Sequence, residues 1–397
     1  MPSTTPPAPA RDFGFGSDEE MLRDLARKFL DENMPVTKLR DLVAKDHTAV
    51  YERGERSAWR DELWHQIVEL GWTGLAIPEE AGGVGFKFVG LVGLLEEVGR
   101  HALPSPLGAT VAASLLLREA DGERARPWLA RIADGMSAAP IIHDEGGESI
   151  PDSHGLRARR EGAERVLDGA AYFVEDAFKA DLFVALVREE EASLLCVVPK
   201  DAPGLTLVQN HIHDLTRDQA TLHFDRLRIP EENIVSEEGD AALERAWPGL
   251  LAAAAADLCG TSEWQLQATV EYAKERKQFD RPLGFFQAVK HPLVDAMIAI
   301  DRGRSLLYHA ASAIDEGSDE ARVAALMAKS AASDAAAYIS SRSVQLHGGI
   351  GFTWECDVQL FFKRSMHTQA LYGSGAQQRR RLAEILIGDS SSRKGMS

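Results

Sequence analysis

The sequence predicts an α+β chain of several units: an N-terminal all-helical block, a small β domain in the middle and a helical bundle at the C-terminal end. Three observations predict it. Helical periodicity runs from residue 17 to about residue 136; strand-length apolar runs and two-residue alternation replace it between about Ala138 and Asn233; helical patterning returns near Asp240 in long segments. A chain of 397 residues also exceeds what one simple core organises, so two or three units are expected. The boundaries are set at 1–16 (a flexible arm), 17–137, 138–235 and 236–397.

The first helix opens at Ser17-Asp-Glu-Glu20, which has the form of a capping box, and carries Leu22, Leu25 and Phe29 on one face. A second helical stretch from Trp59 to Leu70 turns Trp64, Ile67 and Val68 inward. Leu75-Ala76-Ile77-Pro78 breaks the pattern, Gly82-Gly83-Val84-Gly85 makes a loop, and Val89–Gly99 is helical again. In the β block, Val166-Leu167-Asp168-Gly169 offers a hairpin turn. Ala180–Val187 and Leu194–Val198 have strand length, and Ala220, Leu222 and Phe224 alternate with Thr221, His223 and Asp225 as in a half-buried strand. Pro199, Pro203-Gly204 and Pro230 punctuate these runs. The C-terminal helices are expected over 241–275, 287–315, 319–346 and 376–386; Pro292 falls near the start of the second, where a proline is tolerated. They are too long and too alanine-rich to bury a single stripe, which predicts packing against another chain.

Composition narrows the function. Apolar residues make up 45% and charged residues 26%, and the net charge is −17, ordinary for a soluble protein but repellent to nucleic acid and anionic lipid. Cys196, Cys259 and Cys356 are scattered and odd in number, which fits a reducing, cytoplasmic setting and neither a disulfide framework nor a zinc site. Met1–Pro9 lacks the apolar core of a signal peptide, and no apolar run reaches membrane-spanning length; Leu250–Cys259, which includes Asp257, suits a buried helix.

Two segments carry chemistry. Glu275-Arg276-Lys277-Gln278-Phe279-Asp280-Arg281-Pro282-Leu283 leads to Phe286-Gln287-Ala288-Val289-Lys290-His291. It is a helix end whose Arg276 suits a phosphate and whose Gln287 suits a base edge or a phosphate oxygen; a solvated basic turn is the plainer alternative. Gln345-Leu346-His347-Gly348-Gly349-Ile350-Gly351-Phe352 follows, with glycines that let a backbone approach a ligand. In this order and spacing the pair closely resembles the Arg-x-x-Phe-Gly…Phe/His-Gln and Gln-x-x-Gly-Gly-x-Gly-Phe motifs of the acyl-CoA dehydrogenase family. The resemblance extends over nearly the whole chain, through Leu70–Glu80 with Gly82-Gly83, Val198-Pro199-Lys200 with Pro203-Gly204-Leu205, and Phe224–Pro230. It implies an N-terminal helical domain, a β-barrel-like middle and a C-terminal four-helix bundle that makes dimer and tetramer contacts. It further implies that Arg276, Gln278, Phe279, Gln287, Gln345, Gly348 and Gly349 reach across an interface to the pyrophosphate and adenosine of FAD in a neighbouring subunit. Metal ligands are not expected.

The family's reaction needs a carboxylate base for the α-proton of an acyl-CoA while hydride passes to flavin. The resemblance puts that base in a Tyr-Glu-Gly-Thr segment, which here reads Tyr372-Gly373-Ser374-Gly375, or on the first long C-terminal helix, where the matching residues are Leu250 and, for the adjacent arginine, Leu251. Neither glycine nor leucine takes a proton. Asp257, Glu244 and Glu355 are the nearby carboxylates. The flavin-wrapping segments are altered too, to His143-Asp144-Glu145-Gly146-Gly147-Glu148-Ser149 and Tyr172-Phe173-Val174-Glu175-Asp176; Glu145 and Glu148 would set negative charge near a ring that becomes anionic on reduction. Retention of the donated half-site with loss of the chain's own resembles the non-catalytic subunit of heteromeric, steroid-type bacterial acyl-CoA dehydrogenases. The implied partner is a catalytic paralogue in an α2β2 assembly that holds most of the acyl-CoA, with steroid side-chain thioesters the associated substrate class. Two rival expectations stand beside it: an active homo-oligomer with an unusual base, and a flavin-free scaffold.

Overall fold

The computed structural model describes residues 13–43, 59–147 and 155–388. Its N-terminal part holds α1 (Ser17–Asn33), α2 (Val36–Val43), α3 (Asp61–Glu69), α4 (Phe88–Arg100), α5 (Leu107–Arg118) and α6 (Gly122–Ala133). The α1 cap is Gly16 rather than Ser17: the Glu19 carboxylate accepts the Gly16 N–H at 2.8 Å, one residue earlier than the capping box predicts. Leu25 also departs from expectation. It is 59% exposed, and Ala26 and Leu30 are the fully buried apolar positions of this helix.

The middle is an eight-stranded mixed sheet: β1 (Ala138–Ile141), β2 (Arg157–Glu161), β3 (Glu164–Glu175), β4 (Leu182–Glu189), β5 (Ala192–Pro199), β6 (Leu205–Gln209), β7 (Gln219–Pro230) and β8 (Ile234–Ser236). Its order is β6-β7-β3-β2-β4-β5-β8, with β1 parallel to β4. Ala220, Leu222 and Phe224 point into the core as their alternation predicts. The turn expected at Val166–Gly169 is not a turn. β3 runs through it with a register shift against β7 between Leu167 and Gly169, and the hairpin lies earlier, where Arg157–Glu161 pairs antiparallel with Glu164–Asp168. Gly169, at φ +125°, is a bulge residue; a Cβ there would lie 2.2 Å from the Gly155 carbonyl oxygen.

The C-terminal part consists of α7 (Gly239–Glu275), a two-strand ribbon β9 (Lys277–Gln278) and β10 (Arg281–Pro282), α8 (Gln287–Asp315), α9 (Ala321–His347), α10 (Val358–Ala370) and α11 (Gly375–Ile387). α10 is an additional helix between the Gly-Gly segment and the final helix. One apolar core joins the N-terminal helices to α7 and its neighbours, a second fills the sheet, and a third, smaller one (Leu266, Ala273, Leu293, Ala296, Ile300, Ala335, Ile339) lies under the adjoining ends of α7, α8 and α9. α4 and α7 cross almost backbone to backbone: a Cβ on Gly260 would meet the Glu96 carbonyl at 1.8 Å, and one on Gly99 would meet that of Asp257 at 2.2 Å. Only glycine permits that approach, and it fixes the depth at which Asp257 enters the interior. Among the described residues no helix is long and apolar enough to cross a membrane.

Candidate functional site

The first group of residues lies on the surface at one end of the C-terminal bundle. α7 ends at Glu275, and Arg276 begins the short ribbon, its carbonyl accepting the Leu283 N–H at 2.8 Å. The ribbon turns on Phe279 (φ +52°) and Asp280 (φ +60°). Two consecutive left-handed residues make a type I′-like turn, which glycine and asparagine favour and phenylalanine does not. The strain is of order 1–2 kcal/mol, and it holds an aromatic ring 86% exposed to solvent. Gln287 is the first residue of α8, at the end where backbone N–H groups lack helical partners.

The second segment is brought alongside by the parallel ends of α7 and α9. Tyr272 stacks on His347 with ring centroids 4.2 Å apart and donates its hydroxyl to the His347 carbonyl at 3.5 Å. Beyond it Gly348 adopts φ +67°, ψ −145°, a conformation essentially confined to glycine. A Cβ on Gly348 or Gly349 would meet nothing of this chain within 4 Å, so both open outward. Arg276, Gln278 and Gln287 are exposed and make no side-chain hydrogen bond or ion pair within the described residues; Gln345 only accepts from Arg342 at 3.4 Å. An uncommitted guanidinium, carboxamides, an exposed ring and open glycine backbone thus share one surface. The seven residues predicted as a group lie together at this end of the bundle.

The second group is buried where the sheet meets α4, α5, α7 and α10. Asp257 accepts from Arg364 (Nη2 at 2.5 Å, Nε at 3.2 Å), from Arg217 Nη2 at 3.1 Å and from the Thr368 hydroxyl at 3.2 Å. Arg364 also donates to the Thr216 hydroxyl at 2.8 Å and to the Leu103 carbonyl at 3.4 Å. Beside it, Glu175 pairs with His367 Nε2 at 2.8 Å and accepts from Gln219 at 2.7 Å. Lys179, fully buried, spans Asp176 at 2.6 Å and Asp218 at 3.1 Å. Burial opposes charge on Asp257, yet Arg364 and then Arg217 outweigh it and hold the carboxyl below its ordinary range. Burial likewise opposes charge on Glu175, and His367 and Arg217 draw it down to about 2. For His367 burial favours the neutral ring, but Glu175 prevails and raises its pKa.

An aromatic stack closes the same region: His143 lies over Tyr372 (5.8 Å, 22°), Trp247 meets Tyr372 edge-on (5.9 Å, 70°), and the Arg381 guanidinium sits 5.1 Å above Trp247. The cavity that remains, lined by Ser105, Glu175, Arg217, Asp257, Arg364 and Tyr372 among others, measures about 50 Å3. At roughly 10–15 Å3 per water it takes a few waters.

The carboxylates proposed as bases are accounted for. Asp257 is tied to two guanidiniums, Glu244 is exposed and paired with Arg322, and Glu355 is exposed. Leu250 and Leu251 are fully buried in the core. Gly373, at φ +95°, gives its carbonyl to Lys329 Nζ at 3.2 Å. Lys329 has no exposed surface, also donates to the Gln369 carbonyl at 3.0 Å, and is lowered by burial to about 7. Glu145 is exposed, and Glu148 lies outside the described residues. Arg217, Arg364, His367 and Thr368 did not stand out in the sequence. The available signal was on α10, where Arg364 and Thr368, four residues apart, share the buried face with Leu360 and Phe361.

Two family models match the chain: the acyl-CoA dehydrogenase N-terminal domain over residues 16–136 and the acyl-CoA dehydrogenase C-terminal domain over residues 251–387. The chain belongs to the acyl-CoA dehydrogenase family. Among its relatives, acyl-CoA dehydrogenase FadE12 of Mycobacterium tuberculosis is 29% identical over 327 residues, 79% of this chain and 84% of that protein. A chain of the ChsE4–ChsE5 complex from Mycobacterium tuberculosis superimposes with a TM-score of 0.84 at 25% identity, covering 96% of this chain and 100% of that one. A chain of a Tcur3481–Tcur3483 steroid ACAD variant does so with a TM-score of 0.82 at 28% identity, covering 94% and 98%.

Acyl-CoA dehydrogenases are FAD-dependent oxidoreductases, so the fit of a flavin to each group of residues can be tested. Among the described residues, the space left in this cluster, enough for a few waters between paired charges, does not admit a tricyclic ring. The surface group fits the cofactor's diphosphate end: a guanidinium is a donor that a diphosphate takes, and Gly348 and Gly349, with no Cβ and open space beside them, let the backbone come close to it.

Proposed function

We propose that this chain is the non-catalytic subunit of a heteromeric FAD-dependent acyl-CoA dehydrogenase, contributing Arg276, Gln278, Phe279, Gln287, Gln345, Gly348 and Gly349 to a flavin whose ring lies in a partner subunit. One contrast carries the reading: the outward half-site is open and uncommitted, while the inward cleft is filled by paired charges and an aromatic stack. In the assembly this chain's residues bind and orient. Arg276 neutralises diphosphate charge, and Gly348-Gly349 lets the backbone close on it. FAD, when bound, accepts hydride from the acyl-CoA; the carboxylate that takes the α-proton belongs to the partner, a catalytic acyl-CoA dehydrogenase paralogue in an α2β2 arrangement. Similarity to a chain of a steroid ACAD supports a bulky, steroid side-chain thioester as substrate, and similarity to a chain of the ChsE4–ChsE5 complex supports a heteromeric assembly; the substrate is assigned mainly to the partner. A cytoplasmic location accords with a soluble CoA thioester substrate.

The geometry around Asp257 disfavours an active homo-oligomer with that residue as base, since a carboxylate held ionised by two guanidiniums is a weak proton acceptor. Co-expression with the paralogue tests the proposal. The expected result is one FAD per chain pair, with Arg276→Ala weakening FAD roughly 10- to 100-fold, the loss of a charged hydrogen bond of about 1.5–3 kcal/mol. Full flavin loading and acyl-CoA oxidation by the chain alone would refute it. A complex without flavin would instead establish a scaffold.

A further inference from the structure

We propose that the buried ion cluster around Asp257 and Glu175 does the structural work of a cofactor: it holds the sheet, the N-terminal helices and the bundle closed on one another with no flavin between them. The inference rests on the reading that this chain's own cleft binds none.

The topology supports it. Glu175 ends β3, Arg217 lies in the β6–β7 connection, Asp257 is on α7, and Arg364 and His367 are on α10. Several of these contacts cross between parts of the fold. Glu175–His367 and Arg217–Asp257 tie the sheet to the bundle, and Arg364 ties α10 to α7, to Thr216 and to the Leu103 carbonyl between α4 and α5. The exposure is correspondingly low: the Arg364 side chain is 1% exposed and that of Arg217 9%. Glu175 and Asp257 have every charge partner they need from the chain itself, so closure calls for no ligand. It follows that this subunit reaches its closed form without flavin.

Hydrogen–deuterium exchange on the heteromeric complex, with and without FAD, tests this. In the wild type, amides of 172–176 and 364–368 should keep their protection when flavin is removed. Glu175→Gln, which keeps the shape and removes the charge, should speed exchange there at least tenfold while the complex retains one FAD per pair. Thr368→Val, a milder change that deletes one bond to Asp257, should give a smaller acceleration in 364–368 if Glu175→Gln does not assemble. Loss of wild-type protection on flavin removal, or unchanged exchange in both variants, overturns the proposal and leaves the donated half-site intact. Two FAD per pair overturns the reading beneath it.

Discussion

Asp257→Asn separates a structural carboxylate from a catalytic one. In the wild type Asp257 meets two guanidiniums that are almost completely withdrawn from water. The amide keeps the shape but leaves Arg217 and Arg364 without that counter-charge, and removing one partner of a buried ion pair costs about 3–5 kcal/mol. The unfolding entropy of globular proteins, about 2.1 cal/mol/K per residue, gives a 397-residue chain roughly 0.8 kcal/mol/K. The same free energy then lowers the melting temperature by about 4–6 °C. Differential scanning calorimetry of the purified chain reads the shift, and turnover of the complex at a temperature well below melting reads the chemistry. Because Asp257 is held below its ordinary range, its contribution is present above the unfolded pKa and disappears as pH falls through the folded one. The gap between wild type and variant should therefore narrow in acid. A melting temperature within 1 °C of wild type, together with turnover lost by a factor of a hundred or more, would refute the structural assignment and make Asp257 the base.

The pair of Glu175 and His367 predicts an optimum in pH. The contribution of Glu175 is complete above about 4.5 and lost as pH falls toward about 2, while that of His367 is complete below 6.5 and lost as pH rises through its raised folded value. His367→Gln should flatten the alkaline side of the stability profile, read from melting temperatures between pH 5 and pH 9. Lys329 acts in the opposite sense. Its charged form is disfavoured by burial, so the unfolded chain binds the extra proton between about 7 and 10.5, and stability gains up to on the order of 5 kcal/mol across that interval. Lys329→Met should abolish that slope, measured by denaturant midpoints from pH 7 to pH 10. Phe279→Gly should relieve the left-handed strain and raise stability by about 1 kcal/mol, yet weaken FAD retention in the complex; an unchanged flavin content would show that the ring contributes nothing to the half-site.

Much of this was legible because it is written in local pattern. The three-part order, the ends of α8 at Gln287 and Asp315, and the strand through Ala220, Leu222 and Phe224 follow from periodicity and terminators. The proximity of the seven surface residues was legible because they are contiguous in two short segments whose spacing is itself the signal. Val166–Gly169 was misread because Asp-Gly marks a turn only when the chain reverses there; β7 instead continues alongside, and Gly169 is spent on a close approach to Gly155. α10 was missed because its buried face mixes Gln359, Arg364, Ser365 and Thr368 with Leu360 and Phe361, which blurs the apolar stripe. The ion cluster was illegible for a related reason. Asp257 and Arg364 are separated by 107 positions, and nothing in a charged residue's neighbours tells which distant partner makes its burial tolerable.

The two groups of residues obey opposite physical requirements, and that opposition is the strongest argument for a divided site. A carboxylate or guanidinium inside the fold must be neutralised by its own chain, because no solvent remains to do it; Asp257, Glu175, Arg364 and His367 all are. A group meant for a ligand must instead remain unsatisfied until the ligand comes, which is affordable only at the surface, where water stands in; Arg276, Gln278 and Gln287 meet that condition. Had the chain bound its own flavin, the interior would carry a ring-sized space; the donor beside the small cavity that makes no hydrogen bond, Arg217 Nε, faces the Asp214 carboxylate at 3.8 Å. Committed charges inside and uncommitted donors outside are what a subunit requires if it completes another chain's site and has closed its own.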